Sequence, residues 1–356
     1  MKIKIGKNLI SQNQKTYFVA DIAANHDGSL SRAKKLIRLC AKSGANAAKF
    51  QHFKAETIVS DYGFKKIGKI THQKKWKKSV FQVYKDAKIN NSWTKELRLE
   101  CKKNKIDFMT APYDLDYVNS VYKYMDAYKI GSGDITWIDI IGKIAKKQKP
   151  VLIATGASSI KDVKRAVKTI KKSNKKIVLM QCNTNYTASN ENNKFLNLNV
   201  LKQYKKIFKN TVILGLSDHT FGHNSVLGAV AMGAKVIEKH FTDDNNRKGP
   251  DHKFSMNPKT WQKMVEETRF LENSLGDGYK KIEENESQSA VVQRRAIRAK
   301  KKLLKGQKIK THMLSYLRPC PKKAFKIAKD NITIIIIAAR PPSCLVCSGN
   351  SFNLFK

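Results

Sequence analysis

The stretch VLIATGASSIKDVKRAVKTIKKSNKKIVLM, running from Val151 to Met180, decides the fold. Two short apolar runs, Val151 to Ala154 and Ile177 to Met180, bracket a segment in which Ile160, Val163, Val167 and Ile170 recur every three to four positions. That spacing lines one side of a helix, and short apolar runs alternating with helices are the signature of parallel strands joined by crossovers. Ser158 or Ser159 stands where the helix needs a cap. The same unit recurs in both directions. Further strands are expected at Tyr17 to Ala24, Ala47 to Gln51, Asp107 to Thr110, Ala127 to Ile130, Val212 to Leu216 and Lys235 to Glu238, which brings the total to eight. Gly44 marks the end of the first helix, and Asn257 with Pro258 the start of the last. Eight such units within roughly 260 residues predict a closed (β/α)8 barrel, with an open doubly wound sheet as the competing architecture.

Working outward, the barrel is expected over residues 1–275, with a long insertion at about His52 to Asn91. The insertion carries Tyr62, Phe64, Trp76, Phe81 and Tyr84 among lysines, as a lid or substrate loop would. Residues 276–289 are polar and acidic and read as a linker, and a second small unit begins near Ala290. A chain of 356 residues can bury a sizeable core without staples. Cys40, Cys101 and Cys182 therefore read as core thiols, and the lone pair Cys344 and Cys347 is assigned no metal or redox role. Met1 to Lys15 lacks the apolar run of a secretory signal, and Ile332 to Ala339 is far too short to span a bilayer, so a cytoplasmic protein with no membrane contact is expected.

The net charge of +42 suggests a polyanionic partner. Against that, the lysines are spread along the whole chain beside abundant Asn and Ile, as a compositional bias would leave them. In the first helix Lys34, Lys35 and Lys42 lie opposite Ala33, Leu36, Ile37, Cys40 and Ala41, a solvated polar face. No recognition helix, zinc finger or aromatic-basic motif is present, so no specific nucleic acid is expected. A positive field would still speed capture of a phosphorylated, carboxylated substrate.

In such a barrel the active site lies at the carboxyl ends of the strands, where polar residues collect in this chain. They are Asp21 and Asn25-His26-Asp27-Gly28, then Lys49, Gln51 and His52, Thr110 to Tyr113, Lys129 with Gly131-Ser132-Gly133-Asp134, Thr155-Gly156, Asn183, Thr184 and Tyr186, Ser217-Asp218-His219, and Glu238-Lys239-His240. Lys49 and Lys129 place ammonium groups inside strands, which burial penalises unless an anion pairs with them. The anion is either a ligand or a neighbouring Asp. The glycine pairs with Ser132, Thr155 and Ser217 offer backbone approach and hydroxyls to a phosphate or carboxylate, though a lone GSG also serves as a turn. His219 and His240 end adjacent strands and can share a divalent ion such as Mn or Mg, or simply be hydrogen-bonded rim histidines. Asp21, Asp134, Asp218 and Asp251 are candidates for acid–base work, for holding sugar hydroxyls or for pairing with a rim lysine.

These motifs resemble the sialic acid synthases. The likeness rests on ADIAANHDG at 20–28, KFQ at 49–51, YKIGSG at 128–133, GLSDHT at 215–220, EKHFT at 238–242, GPD at 249–251 and VVQRR at 291–295, and runs from about Phe18 to Pro321. It implies a (β/α)8 barrel followed by an antifreeze-like (SAF) domain, and condensation of phosphoenolpyruvate with N-acetylmannosamine or a related sugar, including the precursors of pseudaminic and legionaminic acids. It also implies a divalent metal, Mn or Mg, on His219 and His240, and phosphoenolpyruvate against Lys49, Lys129, Ser132 and Ser217, with Gln51, Thr155, Thr184 and Tyr186 nearby. Asp134 and Asp251 would face the sugar, and Arg318 would reach across a homodimer to the partner's site. The enol carbon C3 would attack the metal-polarised aldehyde, water would add at C2, and phosphate would leave.

Three positions depart from the family pattern. Asp21 stands where a Glu is usual, which makes the expected base one methylene shorter; Ala154 replaces a Ser beside Thr155, and Thr184 an Asn. The small domain is recognisable over residues 290–322, through Leu303-Leu304-Lys305-Gly306 and Arg318. Residues 323–356 depart altogether, as a frameshift or truncation would leave them: an apolar β-prone run at Ile332 to Ile337 is followed by a tail with no helix or strand pattern. The competing functional classes are a Schiff-base aldolase using Lys129 or Lys49 and a basic nucleic-acid-binding protein.

Overall fold

The computed structural model describes residues 1–320 apart from 69, 71, 72, 75 and 305, together with the backbone of Ile334–Ile336 and Cys344–Cys347. The expected frameshift at 323–356 falls mostly outside these residues. The chain divides into two compact units, Met1–Gly276 and Asp277–Lys356.

The first unit opens with an antiparallel hairpin, β1 (Ile3–Ile5) and β2 (Asn8–Ile10). Eight parallel strands follow: β3 (Tyr17–Asp21), β4 (Ala47–His52), β5 (Asp107–Pro112), β6 (Ala127–Ile130), β7 (Val151–Ala154), β8 (Ile177–Cys182), β9 (Ile213–Asp218) and β10 (Val236–His240). They close in sequence order, with β10 pairing β3. The open-sheet alternative is therefore excluded, and the expected (β/α)8 barrel is what forms. Helix α1 (Leu30–Lys42) follows β3. The insertion after β4 folds into α2 (Ala55–Ile58), α3 (Asp61–Ile67) and α4 (Val80–Ala87) before α5 (Trp93–Lys103). Then α6 (Leu115–Ser120), α7 (Ile138–Ala145), α8 (Ile160–Lys171), α9 (Val200–Phe208), α10 (Asn224–Ala231) and α11 (Pro258–Ser274) follow β5 to β10 in turn.

Local signals explain the helix ends. Ser159 caps α8 through a capping box with Asp162, and Asn257 does the same for α11 with Thr260, next to Pro258 at the first helical position. Gly44, at φ +92°, turns the chain out of α1 in a conformation that favours glycine. The first strand stops at Asp21, three residues short of the expectation, because Ala23 adopts φ +44° and breaks the extended run.

Strand alternation sorts the core into two. Phe18, Ala20, Ala48, Phe50, Phe108, Tyr128, Ile153, Leu179, Leu216 and Ile237 face the helices and form the larger cluster. Tyr17, Val19, Ala47, Met109, Ala127, Leu152, Val178, Ile213 and Val236 face inward near the strand starts, where Ile3, Ile5 and Ile10 of the hairpin pack against them. The hairpin closes the amino end of the barrel. No strand is expected within Met1 to Lys15, where the alternation of Ile3 and Ile5 across Lys4 is too short to stand out.

Asp107 sits at this closed end, accepting hydrogen bonds from Tyr17 Oη at 2.6 Å and Asn8 Nδ2 at 2.8 Å. Burial pushes its carboxyl from 3.8 to about 6. A raised acid pKa means that folding favours the protonated form. Relief from the burial penalty is complete below the unfolded value and is lost as pH rises through about 6. Urea titrations of Asp107→Asn beside the parent are expected to shift in the variant's favour by about 2–3 kcal/mol between pH 4 and 7. A pH-independent difference would contradict the assignment.

In the second unit, β11 (Ala296–Ala299) and β12 (Leu314–Leu317) pair antiparallel. Strands β13 (Ile334–Ile336) and β14 (Cys344–Cys347) complete a sheet in the order β12-β11-β14-β13. The tail thus supplies two strands, one inside the β-prone run Ile332 to Ile337 and one, at Cys344–Cys347, where no pattern is expected. Their residues pair edge to edge without an alternation that could be read in advance. Part of the stretch expected as a linker is helical, at Glu284–Glu286 and Ser287–Val292.

Candidate active site

Inward parity carried one step further up the strands replaces the apolar layer with chemistry. Asp21 continues Tyr17 and Val19, Lys49 continues Ala47, and Lys129 continues Ala127, while Ser217 and Glu238 continue Ile213 and Val236 two residues at a time. His240 follows on the same side. These residues line a cavity of about 430 Å³ at the carboxyl ends of the strands. The insertion after β4 forms one wall, with Ile58, Trp76, Val83, Tyr84 and Ala87.

The floor is a buried charge network. Lys49 Nζ lies 2.6 Å from Asp21 Oδ2 and 3.5 Å from Glu238 Oε1, and Lys129 Nζ lies 3.0 Å from the same Glu238 oxygen. Ser217 Oγ donates to it at 3.1 Å, while the other oxygen, Oε2, is buried with no hydrogen bond. Burial alone would push the Glu238 carboxyl up, but Lys129 and Lys49 more than offset it and hold it at about 2. Burial would likewise pull the Lys49 ammonium down, but Asp21 and Glu238 reverse the effect and raise it. Of the alternatives left open for the strand lysines, the structure shows pairing within the protein. They pair with protein carboxylates and still face the cavity.

Above the floor stand the two imidazoles, 5.4 Å apart between ring centroids. His219 Nδ1 lies 3.0 Å from the Asn183 carbonyl, which can only accept, so this nitrogen carries a proton; burial would pull the imidazole down, but Cys182 and this carbonyl more than offset it and raise it. His240 Nδ1 is buried without a hydrogen bond, 4.0 Å from Asp251 Oδ2, and Nε2 is 3.6 Å from Asp21 Oδ2. Burial, then the neighbouring His219, keeps His240 well below its ordinary value and hence neutral. A neutral ring with an orphaned nitrogen fits a divalent cation. Among the described residues no cluster of three or more His, Cys, Asp or Glu could hold a metal by itself. An ion on His219 and His240 would thus keep positions open to water or substrate oxygen. Tyr186 packs edge-on against His219 at 4.4 Å.

Three further features shape the site. Burial raises Asp134 to about 6, and raises Asp251 to about 6 even though Asp251 accepts from the Ala24 amide. Ser132 Oγ accepts from the Gly156 amide at 3.0 Å. A Cβ on Gly156 would stand 1.7 Å from Thr184 Oγ1, so the backbone there can approach only because the residue is glycine.

The expected site residues Asp21, Lys49, Gln51, Lys129, Ser132, Asp134, Thr184, Tyr186, Ser217, His219, His240 and Asp251 all line the cavity. Three do not, two of them by parity. Thr155 is the outward neighbour of inward Ala154; its hydroxyl donates to the Met180 carbonyl at 3.0 Å and accepts from Tyr204 Oη at 2.9 Å. Asp218 also points outward, into an ion pair with Lys239, so it is not available for acid–base work. Arg318 lies exposed in the second unit. Glu238 and Tyr113, expected at the strand ends without an assigned role, also line the cavity, as do Trp76 and Tyr84 of the expected substrate loop; Cys182, expected as a core thiol, and Ile58, Val83 and Ala87 had no signal in their spacing.

Comparison with known proteins agrees with this geometry. A family model described as the NeuB family matches residues 36–280. The N,N'-diacetyllegionaminic acid synthase of Campylobacter jejuni is 37% identical over 86% of this chain and 91% of its own. The human N-acetylneuraminate-9-phosphate synthase is 30% identical over 75% of this chain and 73% of its own. Among solved structures, the N-acetylneuraminic acid synthetase of Leptospira borgpetersenii superposes with a TM-score of 0.71 at 28% identity, covering 81% of this chain and 95% of that one.

Proposed function

The chain belongs to the NeuB family, and from that membership we propose that it condenses phosphoenolpyruvate with N-acetylmannosamine or a related N-acetylated sugar aldehyde. The products are a nine-carbon 2-keto sugar acid and phosphate. One observation carries the reading: two buried ammonium groups, two imidazoles and two carboxylates with pKa near 6 face the same cavity.

Lys49, Lys129, Ser132 and Ser217 receive the phosphate and carboxylate of phosphoenolpyruvate, with the Gly156 backbone admitting close approach. A divalent metal, Mn or alternatively Mg, when held by His219 and His240, supplies Lewis acidity toward the sugar aldehyde. C3 of the enol forms the new bond to the aldehyde carbon, and the carbonyl pair moves to oxygen, which takes a proton. Asp21 removes a proton from the water that adds at C2; the C2–O bond to phosphate then breaks with its electron pair leaving on phosphate, and the C2 hydroxyl passes its proton to the departing phosphate as the keto group forms. Asp21 is held for this role by Lys49 on one oxygen and by the Ala23 amide, 3.1 Å away, on the other. Asp134 and Asp251 hold sugar hydroxyls, and Gln51, Thr184 and Tyr186 complete the lining. A Schiff base on Lys49 is disfavoured, since it needs a neutral amine and the two carboxylates keep this one charged.

The apolar wall of Phe53, Ile58, Val83 and Ala87 favours a second reading of the acceptor, a 2,4-diacetamido sugar of the legionaminic or pseudaminic type. The second unit is read as the antifreeze-like domain of a cytoplasmic homodimer, with Arg318 of one protomer serving the site of its partner. Among the described residues no helix is long and apolar enough to cross a membrane.

The test is phosphate release and product mass with phosphoenolpyruvate, Mn and either sugar, with and without a chelator. Chelator-sensitive formation of a nine-carbon keto acid is expected, and absence of phosphate release with both sugars sinks the reading. Gly156→Ala is expected to lower kcat/KM by about 10²-fold through displacement of Ser132 and Thr184, with little change in melting temperature. Steady-state kinetics beside a melting curve check both parts.

A further inference from the structure

Asp218 and Lys239 are register partners on the adjacent strands β9 and β10. Each immediately precedes one of the two cavity histidines, His219 and His240. By alternation they point away from the cavity and meet behind it, with Lys239 Nζ 2.5 Å from Asp218 Oδ2 and the two side chains 1% and 0% exposed. The contact is the centre of a knot. Lys239 Nζ also donates to the Thr220 carbonyl at 2.7 Å, and Asp218 accepts from the Thr220 amide at 2.9 Å, the Thr220 hydroxyl at 3.0 Å and Ser225 Oγ of α10 at 2.6 Å. Every one of these bonds grips the backbone on one side or the other of His219, or ties that segment to the residue before His240.

A fully buried ion pair is an uneconomical source of stability, because desolvating two charges offsets most of their attraction, and well-packed apolar residues often do as well. What it does supply is a fixed geometry between the two elements that carry it. The inward faces here need such a tie: His240 Nδ1 has no hydrogen bond of its own, so the ring is held by edge-on packing against Phe254, 4.9 Å between centroids, and by the backbone that carries it.

We propose that Asp218 and Lys239 are positioning residues, a brace behind the barrel wall that sets the separation of the His219 and His240 imidazoles and so the geometry offered to a divalent metal. The inference rests on the metal reading above only for its consequence; the brace itself is a statement about ring positions.

The experiment compares the full-length parent with Asp218→Asn/Lys239→Met, whose side chains keep the volume and the Thr220 amide contact. Crystal structures of both, grown without metal, give the ring separation, which is 5.4 Å in the parent. In the variant the rings are expected to move apart by about 1 Å or more, or one to rotate away. Titration of Mn followed by electron paramagnetic resonance of the free ion is expected to give a Kd raised about 10-fold or more. Phosphoenolpyruvate affinity without metal should stay within about twofold, since Lys49 and Lys129 do not touch the brace; a merely structural defect would move it too. If the double variant does not fold, Asp218→Asn alone decides by the same readouts. Rings that stay in place overturn the brace. A parent that binds no Mn while the variant's rings move overturns the metal reading instead.

Discussion

Lys129→Met is expected to lower kcat/KM by about 10³-fold, the cost of removing a preorganised charge from a closed site. Lys129 is 3% exposed, and its ammonium lies 3.0 Å from Glu238, facing the cavity that would receive the departing phosphate. Methionine keeps the length of the stem, so packing against the barrel floor survives. The change leaves Glu238 with Lys49, at 3.5 Å, as its only lysine among the described residues, and its carboxyl rises from about 2. Loss in both kcat and the KM for phosphoenolpyruvate is what the proposed role requires, in which the charge meets the bound substrate as well as the leaving phosphate. Steady-state phosphate release measures it, and a variant within tenfold of the parent would remove Lys129 from the machinery.

Trp261→Ala is expected to destabilise the first unit by about 3–5 kcal/mol. Trp261 is the largest fully buried side chain, and it joins α11 to the end of β10 by packing edge-on against Phe241, with centroids 5.5 Å apart. Its indole Nε1 has no hydrogen bond, so the loss is packing and cavity alone. Strand β10 closes the barrel against β3, and a void behind it loosens the seam. A melting temperature lower by about 10 °C is expected, with denaturant titration giving the free energy. A shift of only two or three degrees would mean that α11 repacks.

The barrel was legible because one feature repeats. Short apolar runs and helical spacing reflect burial on both faces of each strand and on one face of each helix, and neither depends on distant contacts. Helix caps were legible for the same reason, as at Ser159 and Asn257. The hairpin at Ile3 to Ile10 was not, because its apolar side chains are too few to stand out and become core only against Val19, Met109 and Val178. Nor was the strand at Cys344–Cys347, whereas the one at Ile334–Ile336 falls in a run of isoleucines that is β-prone by composition.

Sequence alone determined the element order, the count of eight parallel strands and the catchment of polar residues at their ends, since those follow from local periodicity and the direction of parallel strands; closure against an open sheet was decided by the pairing of β10 with β3. Which members of the catchment meet was decided by tertiary structure. Side chains alternate at every residue, and only the barrel's closure sets which parity faces in. That sends Glu238 and His240 into the cavity and Thr155, Asp218 and Lys239 out of it, although all five stand in the same motifs.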